Sequence, residues 1–458
     1  MTRAPWLARS GAACVAALAC YSLGGCASAR PEQKLQVATA TGRLVPLDSV
    51  TVSYTVGGLQ VIQRANYAND VVAVHLYLLG GRRQLTEATQ GIEALLLRTS
   101  KYGTAKYPGD ATRKAWARTG SEFDIDASDD WTEVGFRAVT ADFDSSWNVF
   151  AERVMHPTLA PASVALVRDQ MRSTVHQRLI SPDGYLRLLS DSVTFHGRAY
   201  GYEPYGTEQS LGTLDSAALA AYERTQMVTS RMLLVVVGNL SHAAVERAAG
   251  ATLATLPRGD YVWSLPQDSA PPPVPVVMRE RPVATNYVLG VFEGPPASAK
   301  DYAAFRVATA LLSSRVGDMV RDQHRLSYAA YAPFTDRGVS AGGVYFSTSS
   351  PAHVLPLVKD QIKWVEHVPP DSIDMPYFTA GFIFDYLASN STDDAQADFL
   401  ARAQLYQGDY RKASDAMEEL RNVTTGDVRS AGKRYFSRIQ FVYVGDTTRV
   451  SRKDFSTF

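Results

Sequence analysis

Two long apolar runs, each closed by glycine, open the two halves of the chain: Val71 to Gly80 and Tyr287 to Gly294. Runs of this length, dominated by valine, leucine and tyrosine, predict buried strands. A second pair, Leu233-Leu234-Val235-Val236-Val237-Gly238-Asn239 and Phe441-Val442-Tyr443-Val444-Gly445-Asp446, closes each half in the same manner. Both markers recur in the same order roughly 210 residues apart, which predicts tandem copies of one fold. Between them, apolar residues return at helical spacing, as in Ile92, Leu95 and Leu96 and again in Phe305, Ala308, Leu311 and Leu312. Residues 121–139 show a broken alternation around Asp129-Asp130 and predict a two-stranded hairpin. Strands and helices within each half give an α+β class, two tandem homologous domains. The proline-rich stretch 265–273 can be neither a helix interior nor a central strand. It makes residues 259–276 a linker between an N-terminal domain, 43–258, and a C-terminal domain, 277–458.

At 458 residues the chain is long enough for two cores of ordinary size. Its 46 basic and 46 acidic residues balance, and no basic block interleaved with aromatics suggests a nucleic-acid surface. The first 26 residues read as an export signal, with Arg3 and Arg9 ahead of an apolar, small-residue run too short to span a bilayer. Leu23-Gly24-Gly25-Cys26 resembles the bacterial lipobox, in which the signal is cut before a cysteine that receives lipid. Ala27, instead of an aspartate, follows the cysteine, which by analogy with bacterial lipoproteins favours the periplasmic face of the outer membrane, with residues 27–42 as a polar tether. The alternative is an ordinary cleaved signal. All three cysteines, Cys14, Cys20 and Cys26, fall in this segment, so a disulfide framework or thiol site in the folded part is not expected.

From Gly58 to Gly445 the order of elements resembles the insulinase (pitrilysin) family of zinc peptidases. Gly58-Leu59-Gln60-Val61-Ile62 is similar to that family's opening strand, and Gly91-Ile92-Glu93-Ala94-Leu95-Leu96-Leu97-Arg98 stands at its metal helix. In active members this helix carries His-x-x-Glu-His, two histidines that bind zinc and a glutamate that acts as general base. Here the three positions are Ala94, Leu97 and Arg98. The remaining ligand, a glutamate, would fall within residues 170–178, where no glutamate occurs. The 8 histidines show no metal-ligand pairing; His176 lies near the lost ligand, but a lone histidine is more often satisfied or exposed. The resemblance therefore implies mostly antiparallel sheets covered by helices and enclosing a chamber, with no catalytic residue, no metal and no cofactor in this chain. Arg98 is either a new anion contact in the vacated site or a salt-bridged or solvated helix-end side chain.

In the second half, Met319-Val320-Arg321-Asp322-Gln323-His324-Arg325-Leu326-Ser327-Tyr328 resembles the family's other element. An arginine and a tyrosine there point at the substrate carbonyl, where a cationic fork and a phenol donate to the developing oxyanion. Arg321 and Tyr328 stand in that register, between a helix expected over 311–319 and a strand pattern over 329–344. Residues 120–132 resemble the family's edge strand, which adds peptide to the sheet. Phe123, Asp124 and Ile125 are then substrate-binding positions, with an ordinary sheet edge as the alternative.

Three functions follow. The chain is a non-catalytic subunit in a heterodimer with a zinc-bearing paralogue, supplying Arg321, Tyr328 and chamber wall for peptide cleavage in the cell envelope. Alternatively it is an envelope peptide-binding or scaffold protein. A third reading, a peptidase with rearranged ligands such as Glu87, Glu93 and Glu122, has no spacing in its support.

Overall fold

Two sheets account for the paired apolar runs. The structure, a computed structural model, describes residues 50–198, 200–266 and 276–456. The signal segment with Cys26, the tether and the proline run 271–273 lie outside these residues. The first sheet holds β1 (Thr51–Val56), β2 (Leu59–Ala65), β3 (Val71–Leu79), β4 (Glu122–Ala127), β5 (Trp131–Val139) and β6 (Met232–Gly238), in the spatial order β1-β2-β6-β3-β5-β4. The second holds β7 (Val277–Glu280), β8 (Asn286–Pro296), β9 (Ala329–Tyr331), β10 (Phe334–Thr335), β11 (Val339–Thr348) and β12 (Gln440–Gly445), ordered β10-β11-β8-β12-β7 with β9 also on β11.

The second sheet repeats the first. In each, an early strand runs parallel to the closing strand, β2 with β6 and β7 with β12. The closing strand pairs antiparallel with the long apolar strand, β3 or β8, which pairs antiparallel with β5 or β11. The predicted hairpin is β4 and β5, and β4 ends the first sheet. The strand pattern expected over 329–344 is broken into β9, β10 and β11, with Pro333 between the first two. Proline cannot donate to a ladder and so interrupts the pairing.

Helices α1 (Ile92–Thr99), α2 (Asp110–Thr119), α3 (Phe143–Met155), α4 (Pro161–Ile180), α5 (Pro182–Thr194), α6 (Glu208–Thr213), α7 (Ser216–Gln226) and α8 (His242–Gly250) belong to the first half. In the second are α9 (Tyr302–Val316), α10 (Pro351–Glu366), α11 (Met375–Ser389), α12 (Asp393–Gln407), α13 (Asp415–Arg421) and α14 (Thr425–Tyr435). No described helix is long and apolar enough to cross a membrane. The helix expected to reach Met319 ends at Val316 and continues as a π-turn, Gly317–Gln323.

Every residue of β6 and nearly all of β3 is buried, so both faces of the first sheet are covered. One face, with Val74, Leu76, Leu234 and Phe136, packs on the half's own helices. The other presents Tyr77, Trp131, Leu233 and Val235, which meet Leu400, Ala401 and Tyr406 of α12 from the second half. The exchange is reciprocal: Leu186 of α5 packs on Leu289, Tyr345, Val442 and Val444 of the second sheet. Helix α12 starts at the Thr392 cap, whose side chain accepts from Ala395 N, and α5 starts at Ser181 with Pro182 in its first turn.

The β4–β5 turn is a polar hub for this contact. Asp130, 1% exposed, accepts from Tyr200 Oη at 3.0 Å, Tyr406 Oη at 2.9 Å and Gly338 N at 2.7 Å, and Arg83 Nε lies 3.1 Å away. Asp129 pairs with Arg82 at 2.8 Å and with buried Arg337 at 3.2 Å. Gly81, at φ 48°, is required here, because a Cβ would stand 2.6 Å from Asp129 O. The first part of the expected linker, 259–266, is laid down against the fold: Trp263 Nε1 donates to Leu405 O at 2.7 Å and its ring sits under Arg83.

Candidate functional site: the vacated metal cleft

Helix α1 begins at Gly91 in the left-handed region, φ 84°, where a Cβ would lie 2.8 Å from the Gly206 backbone. It is buried almost throughout, and the motif positions have joined the core: Ala94 and Leu97 are buried among Leu95, Leu96 and Phe150. Glu93 serves a different contact, with Arg231 at 2.7 Å and Tyr222 Oη at 2.9 Å, while Arg231 Nε donates to Leu79 O at 2.6 Å. Burial and the Glu93 carboxylate raise the Tyr222 phenol well above its usual range, so it stays a donor.

Arg98 is half-buried and lies over the Tyr205 ring, 4.7 Å from its centre. The guanidinium stacks on the ring and no carboxylate pairs with it among the described residues, so the salt bridge weighed for Arg98 is not formed. It lines a cleft of about 620 Å³ together with Lys101, Arg113, Phe123, Ile125 and Arg153, and with Gln170, Met171 and Thr174 of α4. The residues present do not fit zinc. Ala94 and Leu97 offer no donor atom, Arg98 is a cation, and α4 presents an amide, a thioether and a hydroxyl. Among the described residues no three His, Cys, Asp or Glu side chains are grouped to hold a metal. His176, on α4, is exposed and bonds Glu208 at 2.8 Å. Glu122 pairs with Arg137, Glu87 is exposed and Glu93 is engaged with Arg231, so these three carboxylates do not converge.

The structure brings Arg98, Phe123 and Ile125 to one cleft. Asp124 alternates to the other face of β4, where its nearest cation is Arg137 at 3.4 Å. Arg321 and Tyr328 do not line the cleft. Arg321, in the π-turn, is exposed and bonded to Asp322 at 2.9 and 3.1 Å; Tyr328 is 95% exposed just ahead of β9. Asp322 holds the Arg321 guanidinium by hydrogen bonds that raise its pKa further.

Arg153 escaped the sequence reading. It is 6% exposed, its Nε donates to Ser100 Oγ at 3.1 Å and its guanidinium sits 3.4 Å from the Phe123 ring centre. Burial with no facing carboxylate lowers its pKa to about 9, so it remains charged at neutral pH. Only its position on α3, between apolar Ala151 and Val154, hinted that it points inward.

Residues 60–189 match the family model for insulinase, peptidase family M16, and residues 213–371 match the peptidase M16 inactive domain. The chain belongs to the insulinase family. Among its relatives, the mitochondrial-processing peptidase subunit beta of Blastocladiella emersonii is 22% identical over 277 residues, 60% of this chain and 58% of that protein. The match thus spans less than two thirds of that relative. A peptidase M16 inactive domain from Pseudomonas fluorescens superposes with a TM-score of 0.80 at 20% identity, covering 87% of this chain and 98% of that one. The periplasmic protease PqqL from Escherichia coli gives 0.73 at 12% identity, covering 87% and 46%. At such identities the solved structures establish the shared fold. Within the insulinase family this chain is a non-catalytic type, its metal helix turned into core.

Proposed function

We propose that this chain is the non-catalytic subunit of an envelope peptidase, paired with a zinc-bearing paralogue to which it offers Arg321 and Tyr328. One observation carries the reading. The arginine and phenol that suit an oxyanion are exposed and stand outside this chain's own cleft, so a carbonyl held by a second chain is the target they can reach. Tyr328 is 95% exposed, and a tyrosine at the surface suits an interface, where ring and hydroxyl can both be used. In this reading zinc belongs to the partner, the two chains form a heterodimer around a chamber, and this chain contributes one wall. Lipidated Cys26 would hold it at the periplasmic face of the outer membrane; the periplasmic relative supports an envelope location.

The test is to mix the chain lacking residues 1–26 with its nearest His-x-x-Glu-His paralogue and follow cleavage of an unstructured peptide pool. The paralogue should be accelerated about 100-fold, and Arg321→Ala should abolish most of the gain. A paralogue indifferent to this chain would sink the proposal. A second reading, a peptide-binding protein without catalytic duty, is favoured by β4, which ends its sheet beside the cleft.

A further inference from the structure

We infer that the vacated metal cleft is a carboxylate site, in which Arg153, Arg98 and Lys101 hold an acidic group of an extended peptide lying on the β4 edge. The inference deepens the peptide-holding reading of β4 and rests on it. A zinc site gathers carboxylates and imidazoles, whereas this cleft has reversed its charge: its lining includes Arg98, Lys101, Arg113 and Arg153 and no acidic residue. Arg113 is engaged by Asp110. The other three have no carboxylate partner among the described residues.

Arg153 is the buried member of the three. Its one hydrogen bond to protein goes from Nε to a neutral hydroxyl, leaving the guanidinium end at the cleft wall. A buried cation without a counter-charge is costly, and an incoming anion offsets that cost. Arg98 is held flat by its stack on Tyr205, whose hydroxyl is itself fixed by Asp126 at 2.9 Å and by Ala127 N at 3.1 Å. A stacked guanidinium keeps its N–H edge free for a bidentate carboxylate.

The occupant's backbone is set by the same elements. β4 ends its sheet; Tyr205 takes the Ala127 N–H at one end of the strand, and Phe123 and Ile125 project from it into the cleft. A strand added there hydrogen-bonds through its main chain and turns alternate side chains toward the cations and toward Trp116, Val167 and Met171. The cleft, about 620 Å³, accommodates a glutamate with an apolar neighbour.

The experiment is fluorescence anisotropy on the chain without residues 1–26, using short fluorescein-labelled peptides that alternate glutamate with valine. Counterparts carry glutamine for glutamate, each with a free or an amidated C-terminus. The glutamate peptide should bind about tenfold tighter than the glutamine one, and the difference should shrink at high salt. Arg98→Gln with Lys101→Gln should erase the preference while leaving the melting temperature unchanged, and Arg153→Lys should retain part of it. If the preference follows the free C-terminus instead, the carboxylate is terminal and the site stands. Equal binding of glutamate and glutamine peptides with no gain from a free C-terminus, or a preference that survives the double variant, overturns the inference but leaves peptide holding intact. No binding of any peptide overturns both, and neither result touches the subunit proposal, which is read on the paralogue.

Discussion

His75 shows how a single side chain ties the two halves together and gives stability a pH signature. From the middle of β3 its Nδ1 faces Glu133 at 2.6 Å and its Nε2 faces Asp394 of the other half at 2.7 Å. Burial alone would lower its pKa, but hydrogen bonds to Asp394 and Glu133 and their charges outweigh it and push the value from 6.5 up to about 10. A pKa raised on folding means the folded state binds the proton more tightly. The stabilisation is fully present below about pH 6.5 and is lost as pH rises through about 10. Urea denaturation between pH 6 and 10 should therefore show a steady loss for the wild type and a much flatter profile for His75→Gln; parallel profiles would refute this role. Asp130 makes a harder prediction. Asp130→Ala strands two phenols, an amide and Arg83, and should cost about 3–5 kcal/mol, since a buried ion pair broken from one side leaves an uncompensated charge. Neither residue was legible in the sequence beyond Asp130 as a turn, because each draws partners from the opposite half, Tyr406 and Gly338 for Asp130 and Asp394 for His75. Ala94, Leu97 and Arg98 were legible as a lost metal motif, whereas the cation gathered beside them, Arg153, lies on another helix with no motif to announce it.

At the scale of elements, α5 and α12 are the parts whose placement the chain order conceals. Apolar spacing predicts that a helix faces a sheet, and tandem apolar runs predict two sheets, but periodicity does not say which sheet a helix covers. Helix α12 buries Leu400, Ala401 and Tyr406 against the first sheet, and α5 buries Leu186 against the second. Leu400→Ala and Leu186→Ala should each cost about 2–5 kcal/mol, as for other leucines truncated in a well-packed core. The informative readout is location. Native-state hydrogen exchange should show Leu400→Ala loosening β3 and β6, and Leu186→Ala loosening β8 and β12, each in the half that does not contain the substitution. Loosening confined to the mutated half would mean the exchanged helices carry little of the stability. The repeated strand order, by contrast, was readable in advance, because the strands buried on both faces give continuous apolar runs that stand out in each half.

For the whole molecule, reciprocal covering argues against two domains that swing about a proline hinge. Separating the halves would strip α12 from Tyr77, Trp131 and Leu233, strip α5 from Tyr345 and Val442, and leave Asp130 and His75 without their cross-half partners. Each uncovered sheet face is apolar, and burial is worth roughly 25 cal/mol per Å², so opening carries a large penalty on both sides at once. Unfolding should accordingly be one cooperative step. Far-ultraviolet circular dichroism, which follows both sheets, and tryptophan fluorescence, from Trp116, Trp131 and Trp147 of the first half, Trp263 and Trp364, should trace coincident urea transitions with an m-value fitting the whole folded chain. Two resolved transitions, or a half that folds alone when expressed without the other, would contradict this. A rigid pair of halves also has a functional consequence. It fixes the exposed Arg321 and Tyr328 relative to the cationic cleft, so a partner of the kind proposed above would meet both at one set distance.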